Sequence, residues 1–272
     1  AHNNSDGTFG PDGDQDIIKC GSYVGNESSF PTIDLGFEPQ WVMIKAATRT
    51  SNWNIFDSMR GIPTGGNENY LWANTSDSEG SSSDYIDLNA TGFDLSSVEP
   101  ATNSTGETFI YMAIRRGQLA PPTAGTEVFA IDTQVNQDPP LFDSGFPVDF
   151  ALTRNVSSTA NWAVGSRLIQ GKQLNTDNAT SESSNPVFAF DYMDGWNNET
   201  LSTNSNVYSW MWKRAPGYFD AVCYSGNSTA GRTVSHNVLG VAPEMIWVKS
   251  RSAGDNWYVY HKDLTSAAYA LI

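Results

Sequence analysis

One block of sequence is written three times in this chain, and it restricts the fold more than any other feature. The first copy is Gly36-Phe37-Glu38-Pro39-Gln40-Trp41-Val42-Met43-Ile44-Lys45, followed by Asn52-Trp53. The second is Gly145-Phe146-Pro147-Val148-Asp149-Phe150-Ala151-Leu152-Thr153-Arg154, followed by Asn161-Trp162. The third is Gly240-Val241-Ala242-Pro243-Glu244-Met245-Ile246-Trp247-Val248-Lys249, followed by Asn256-Trp257. Glycine and tryptophan keep one spacing in all three, so the blocks align without a gap. Self-similarity of this kind means one structural unit copied along the polypeptide.

Each block predicts a β-hairpin. A Gly/Pro turn opens it, because glycine permits positive φ and proline presets φ. A short apolar strand follows, then a polar loop such as Ala46 to Ser51. A second strand starts at the Asn-Trp pair: Trp53 to Phe56, Trp162 to Val164, Trp257 to Tyr260. These runs are β-branched and aromatic, too short for helices, and bounded by turn residues. The recurring cation (Lys45, Arg154, Lys249) leads the chain into the solvated loop. The recurring tryptophan has two readings: a core residue of the sheet, as a residue repeated with a fold usually is, or a platform on which a sugar ring stacks.

The 272 residues suffice for two or more domains with full cores. Lys+Arg 15 against Asp+Glu 30 gives a net charge of −15, which repels nucleic acid and anionic membrane surfaces. Charged residues are only 17%, and the remaining polarity comes from Asn, Ser, Thr and Gly, as in an all-β protein rich in turns. No apolar run is long enough to span a membrane. The two cysteines, Cys20 and Cys223, fall at corresponding places in two repeats; such places are usually far apart, so two small buried thiols are expected instead of a bridge.

Residues 1–16 read as a linker or tail. Its Asp12-Gly13-Asp14-Gln15-Asp16 resembles the start of a calcium loop, but Ile17 and Tyr23 stand where that loop needs Gly and Glu. Residues 17–118 form the first repeat, which closes on the near-continuous apolar run Thr108 to Arg116, of the kind buried on both faces at a sandwich centre. A Pro-rich linker covers 119–125. Residues 126–217 form the second repeat, whose Asn206 to Arg214 matches Thr108 to Arg116, both runs ending in a basic pair. Residues 218–272 form the first half of a third, which suggests a piece of a longer chain. A folded unit running from the late strand of one repeat into the hairpin of the next stays open. The predicted fold is all-β: tandem antiparallel β-sandwich, jelly-roll-like repeat domains with little or no helix.

Catalytic signals are sparse. Of the three histidines, His2 lies in the tail, His236 in a polar turn and His261 at a strand end, and neither of the latter two is a feature of the repeat. There is no His/Cys metal spacing and no Gly-rich phosphate loop before a helix. Carboxylates are plentiful, which leaves a two-carboxylate glycosidase site open, but in turns they also cap and bend the backbone. Asn-x-Ser/Thr recurs, for instance at Asn26 and Asn74, either as glycan acceptors or as a by-product of composition. No catalytic residue, cofactor or metal is expected. The candidate surface-recognition residues are the aromatics beside variable loops, Trp72, Tyr85, Tyr192 and Trp196, with a place in the core or at its rim as the other reading of all four.

The first and third blocks, with Asp57-Ser58-Met59-Arg60-Gly61, the phrase Tyr218 to Asn227 and the run Ser104 to Ala113, resemble a repeated domain of marine bacteriophages. That domain occurs in large tail-fibre-like virion proteins. The second copy departs: Pro147 is out of step with Pro39 and Pro243, and Gly165-Ser166-Arg167 weakens the Asp-Ser-Met-Arg-Gly phrase. The resemblance implies a virion structural protein, a tail fibre or appendage involved in host attachment. Its partners would be copies of itself (a trimer), other virion proteins and a host cell-surface polysaccharide. The alternatives are a head-decoration or scaffold protein without ligand, and a carbohydrate-binding adhesin or polysaccharide-degrading spike. No site residue carries over from the resemblance.

Overall fold

The computed structural model describes residues 16–96, 99–116, 121–136, 138–184, 188–198, 203–236, 238–264 and 270–271. The tail with its calcium-like Asp12 to Gln15, and Leu119 and Ala120 of the Pro-rich linker, lie outside them. Two compact units are present: Ala1–Pro121 with Asp220–Val238, and Pro122–Phe219 with Leu239–Ile272.

The first unit is a sandwich of two antiparallel sheets. Its strands are β1 (Ile18–Val24), β2 (Thr32–Asp34), β3 (Pro39–Ala46), β4 (Asn54–Asp57), β5 (Tyr70–Trp72), β6 (Ile86–Asn89), β7 (Gly92–Leu95) and β8 (Thr108–Arg115). One sheet has the order β1-β8-β3-β4-β5 and the other β2-β7-β6. The nested pairing of β1 with β8 and β2 with β7 is the jelly-roll pattern. Alternation along the strands builds the core. Val42, Ile44, Phe56, Phe109 and Ala113 point inward from the larger sheet, and Ile33, Leu88, Phe93 and Leu95 from the smaller. Rings bridge the layers: Phe93 meets Tyr111 edge-on at 6.0 Å. Each fully buried Phe stabilises the sandwich by roughly 1.5–3 kcal/mol. The single α-helix among the described residues, α1 (Pro100–Asn103), is one turn with proline at its start.

The second unit repeats this design. Its strands are β9 (Phe129–Gln134), β10 (Phe142–Asp143), β11 (Phe150–Asn155), β12 (Ala163–Ser166), β13 (Lys172–Asn175), β14 (Ser183–Ser184), β15 (Gly195–Trp196) and β16 (Asn204–Trp212). The larger sheet runs β9-β16-β11-β12-β13-β14, the order of the first sheet with one strand added, and β10-β15 stands where β2-β7 stood. Its core holds Phe142, Phe146, Val148, Phe188, Phe190, Trp196 and Met211. The departure of the second copy at Gly165 has a packing reason. Gly165 occupies the register position of Phe56, facing inward, and a Cβ there would lie 2.3 Å from the Phe188 ring. Phe188 fills the volume that Phe56 fills in the first sandwich.

The third block forms β17 (Met245–Val248) and β18 (Tyr258–His261), with β19 (Ala270–Leu271) beside β18. All three hairpins share one register: Val42 pairs with Phe56, Ala151 with Gly165, and Ile246 with Tyr260. Their opening glycines share one backbone conformation, with φ of 75° at Gly36, 74° at Gly145 and 71° at Gly240, open to glycine but strained for other residues. In the first two, an aspartate two residues earlier accepts the glycine N–H (Asp34 at 2.9 Å, Asp143 at 3.0 Å).

Two expectations are corrected. The apolar run of β8 is buried on one face only: Phe109 and Ala113 enter the core, while Ile110 on the other face is 42% exposed. Cys20 is exposed, because β1 is an edge strand and Cys20 points away from the core.

Candidate functional site

The hairpin register decides where the recurring tryptophan goes. Trp53, Trp162 and Trp257 each precede the second strand by one residue, opposite the cation that follows the first. Side chains alternate across a strand, so this position lies with Met43 and Ile55, away from the core. The core reading of the tryptophan is therefore corrected: Val42, Ile44 and Phe56 take the inward positions, and tryptophan marks the outer face.

On the first sandwich this face is a continuous apolar row. Cys20, Met112, Met43, Ile55 and Leu71 stand opposite one another across all five strands. The row toward the hairpin loop holds Ser22, Ile110 and Lys45, with Trp53 at its end; the row on the other side holds Ile18, Ile114, Trp41 and Asp57. Trp53 is 36% exposed and borders a shallow depression of about 300 Å³ lined by Cys20, Met43, Lys45, Ile110 and Met112. Lys45 does more than lead into the loop. Its Nζ donates to the carbonyl of Ala46 at 2.6 Å, with Arg49 O and Ser51 Oγ each at 3.4 Å, tying the loop down beside Trp53.

The same row on the second sandwich is Ile131, Trp210, Leu152, Val164 and Leu174. Here Arg154 lies over the Trp162 ring at 5.1 Å, a cation–π contact. The third hairpin sits against part of this face. Trp247 and Trp257 line a depression of about 180 Å³ together with Leu152, Trp162 and Thr176. Trp257 is 5% exposed, and its indole N–H donates to Asn175 O at 2.6 Å. Arg251 pairs with Glu182 at 2.7 Å, and Glu182 N donates to Arg251 O at 2.8 Å. On this covered side Val164 and Leu174 are buried, whereas Leu71, the counterpart of Leu174, is 37% exposed. Burial also lowers the pKa of Lys249, the third cation. Trp247, Trp257 and Val259 are the register equivalents of Met43, Trp53 and Ile55. The contact thus joins parts of two outer faces, with Trp257 and Val259 buried and Trp247 still 42% exposed.

The four candidate aromatics divide between the two readings. Trp196 is a core residue, 1% exposed, stacked between Phe142 at 4.6 Å and Phe188 at 4.7 Å, with its indole N–H donating to Ser209 Oγ at 2.9 Å. Tyr85 is buried against Tyr70 at 5.0 Å and Phe56 at 5.4 Å. For these two the core reading holds: Trp196 ends β15 and Tyr85 stands just before β6, and each ring enters the sandwich interior. Trp72 is half-buried and donates to Asn54 Oδ1 at 2.9 Å; Tyr192 is half-buried. These four do not share a surface. The outer-face row escaped sequence reasoning because it is contributed by five separate strands and exists only once their register is known.

Buried charges serve the fold. Arg116 pairs with Glu38 at 3.1 Å. Arg167 pairs with Asp149 at 3.3 Å and donates to Phe190 O and Val148 O, while Arg214 N donates to the other Asp149 oxygen. Glu68 differs. One oxygen accepts from Tyr85 N at 2.6 Å, the other has no partner, and burial pushes its pKa up to about 9. Among the described residues no group of three or more His, Cys, Asp or Glu side chains is placed to hold a metal ion.

The profile of a domain of unknown function, DUF7483, matches residues 15–116 and 170–272, well over half of the chain. The chain belongs to the DUF7483 family. The first DUF7483 match spans β1 to β8, and the second runs from the later strands of the second sandwich through the third hairpin. No curated protein and no solved structure matches.

Proposed function

We propose that this DUF7483 protein is a structural component of a bacteriophage virion, a tail fibre or similar appendage that takes part in host attachment. The observation that carries the reading is the reuse of one face. A sandwich is copied with its strand order intact, and its outward tryptophan face packs module on module instead of enclosing a reaction centre. The likeness of the first and third blocks to marine phage repeats supplies the virion context. On this reading the protein acts by shape and contact and does not turn over substrate. It assembles with copies of itself and other virion proteins, and its loops meet a host polysaccharide, since loops on a rigid sandwich tolerate change and carry recognition.

Mass spectrometry of purified particles, with antibody-labelled imaging, tests the reading. A chain found on a tail appendage supports it; a chain absent from particles contradicts it. Labelling on the head surface selects the decoration alternative. The exposed Trp53 at the border of that depression also favours a carbohydrate-binding adhesin, because an open aromatic face suits the stacking of a sugar ring. Calorimetric titration with host polysaccharide, using the natural chain and Trp53→Ala, separates this reading: loss of binding in the variant supports it, and no binding to either protein removes it.

A further inference from the structure

We propose that the outer face of the first five-stranded sheet is a self-association surface, closed by the same face of a second copy of the chain. Three observations carry this. First, the face is apolar from edge to edge: the row Cys20, Met112, Met43, Ile55, Leu71 crosses every strand, with Ile18 and Ile110 exposed on either side of it. Single exposed apolar residues need no explanation, but a contiguous patch marks an interaction site.

Second, the molecule shows what covers such a face. On the second sandwich the cover is the outer side of the third copy's hairpin, with Trp257 and Val259 buried and Trp257 bonded to Asn175. Outer face on outer face is therefore a packing that this sequence pattern already makes. The first sandwich offers the same face. Another chain supplies its equivalent by two-fold symmetry, which requires a surface complementary to itself.

Third, size fits. The charges at the two ends of the face are already held within the chain, Lys45 by its loop and Asp57 by Arg60 at 2.6 Å, so neither end opposes closure. Five strands about 4.8 Å apart and three rows about 7 Å apart give two faces totalling on the order of 1,000 Å², where specific interfaces begin. The inference does not depend on the virion reading: a cellular adhesin with this face would pair in the same way.

Analytical ultracentrifugation of the natural 272-residue chain, from low to high micromolar concentration, tests it. A monomer–dimer equilibrium is expected. Met43→Lys, at the centre of the face and half-exposed in the single chain, should weaken dimerisation about a hundredfold by burying a charge, with circular dichroism unchanged. Ile131→Lys, at the position on the second sandwich equivalent to Cys20, should leave the dimer intact. Reaction of Cys20 with an aqueous maleimide gives a readout free of mutation: it should slow at high protein concentration. A monomer throughout, a trimer, a dimer indifferent to Met43→Lys, or concentration-independent labelling of Cys20 would overturn the proposal.

Discussion

The two sandwiches share a strand order, a hairpin register and an outward tryptophan, yet their outer faces meet different fates. On the second, part of the face lies under the third hairpin, and the ring that does the covering, Trp257, is buried and hydrogen-bonded. On the first, Trp53 and Leu71 remain more than one-third exposed. The difference teaches that the tryptophan repeats with the module as a contact residue, whose worth depends on what is laid against it. The interiors differ too. Every strand of the first core brings its own large side chain, whereas the second replaces Phe56 by Gly165 and fills the gap from Phe188. The second buries Asp149 with arginine contacts, and the first buries Glu68 with one oxygen unpartnered.

The largest effect should come from breaking the buried pair of the second sandwich. Arg167→Ala leaves Asp149 short of its main cation and strands the carbonyls of Val148 and Phe190, and should cost about 3–5 kcal/mol in denaturant unfolding. A cost below about 1 kcal/mol would mean that the pair is not buried as described. The tryptophans give the sharpest contrast. Trp257→Ala should cost about 3 kcal/mol or more, and Trp53→Ala, in dilute protein, about 1 kcal/mol or less. Equal costs would erase the distinction between covered and open faces.

Next comes a pH difference between the sandwiches. The folded-state pKa of Glu68 lies well above its unfolded value, so the neutral carboxyl favours folding fully below pH 4.5, and that contribution is lost as pH rises toward about 9. By pH 7 the loss amounts to at most about 3 kcal/mol. Stability of the first sandwich should therefore fall between pH 5 and 9, and Glu68→Gln should flatten the profile, as read by thermal unfolding across that range. A flat natural profile would contradict the burial of Glu68. The smallest effect is at the rim of the covered face: Arg251→Ala removes a partly exposed ion pair with Glu182 and should cost about 0.5–1 kcal/mol, seen as faster amide exchange in β17 and β18.

Much of the fold was legible in sequence because a hairpin announces itself locally. The opening glycine, the apolar run and the Asn-Trp restart gave the strands and their copying, and β3 and β4 lie within a few residues of the expected runs. Which face tryptophan takes was not legible. Trp41-Val42-Met43-Ile44 is apolar on both sides, so alternation cannot say which side is the core; the register of β3 on β8 and β4 decides it. The same ambiguity hid the open side of β8. Trp196 ends a two-residue strand and Tyr85 stands just before β6, both near polar turns, and only the packing of distant rings shows them to be interior.

The central claim is one hairpin, written three times with the same register, inside a module that the chain forms in full twice. Cross-strand nuclear Overhauser contacts in solution test it most directly. One copied module predicts close backbone contacts between Val42 and Phe56, Ala151 and Gly165, and Ile246 and Tyr260. A slip of one residue in any hairpin would turn its tryptophan toward the core and contradict the claim.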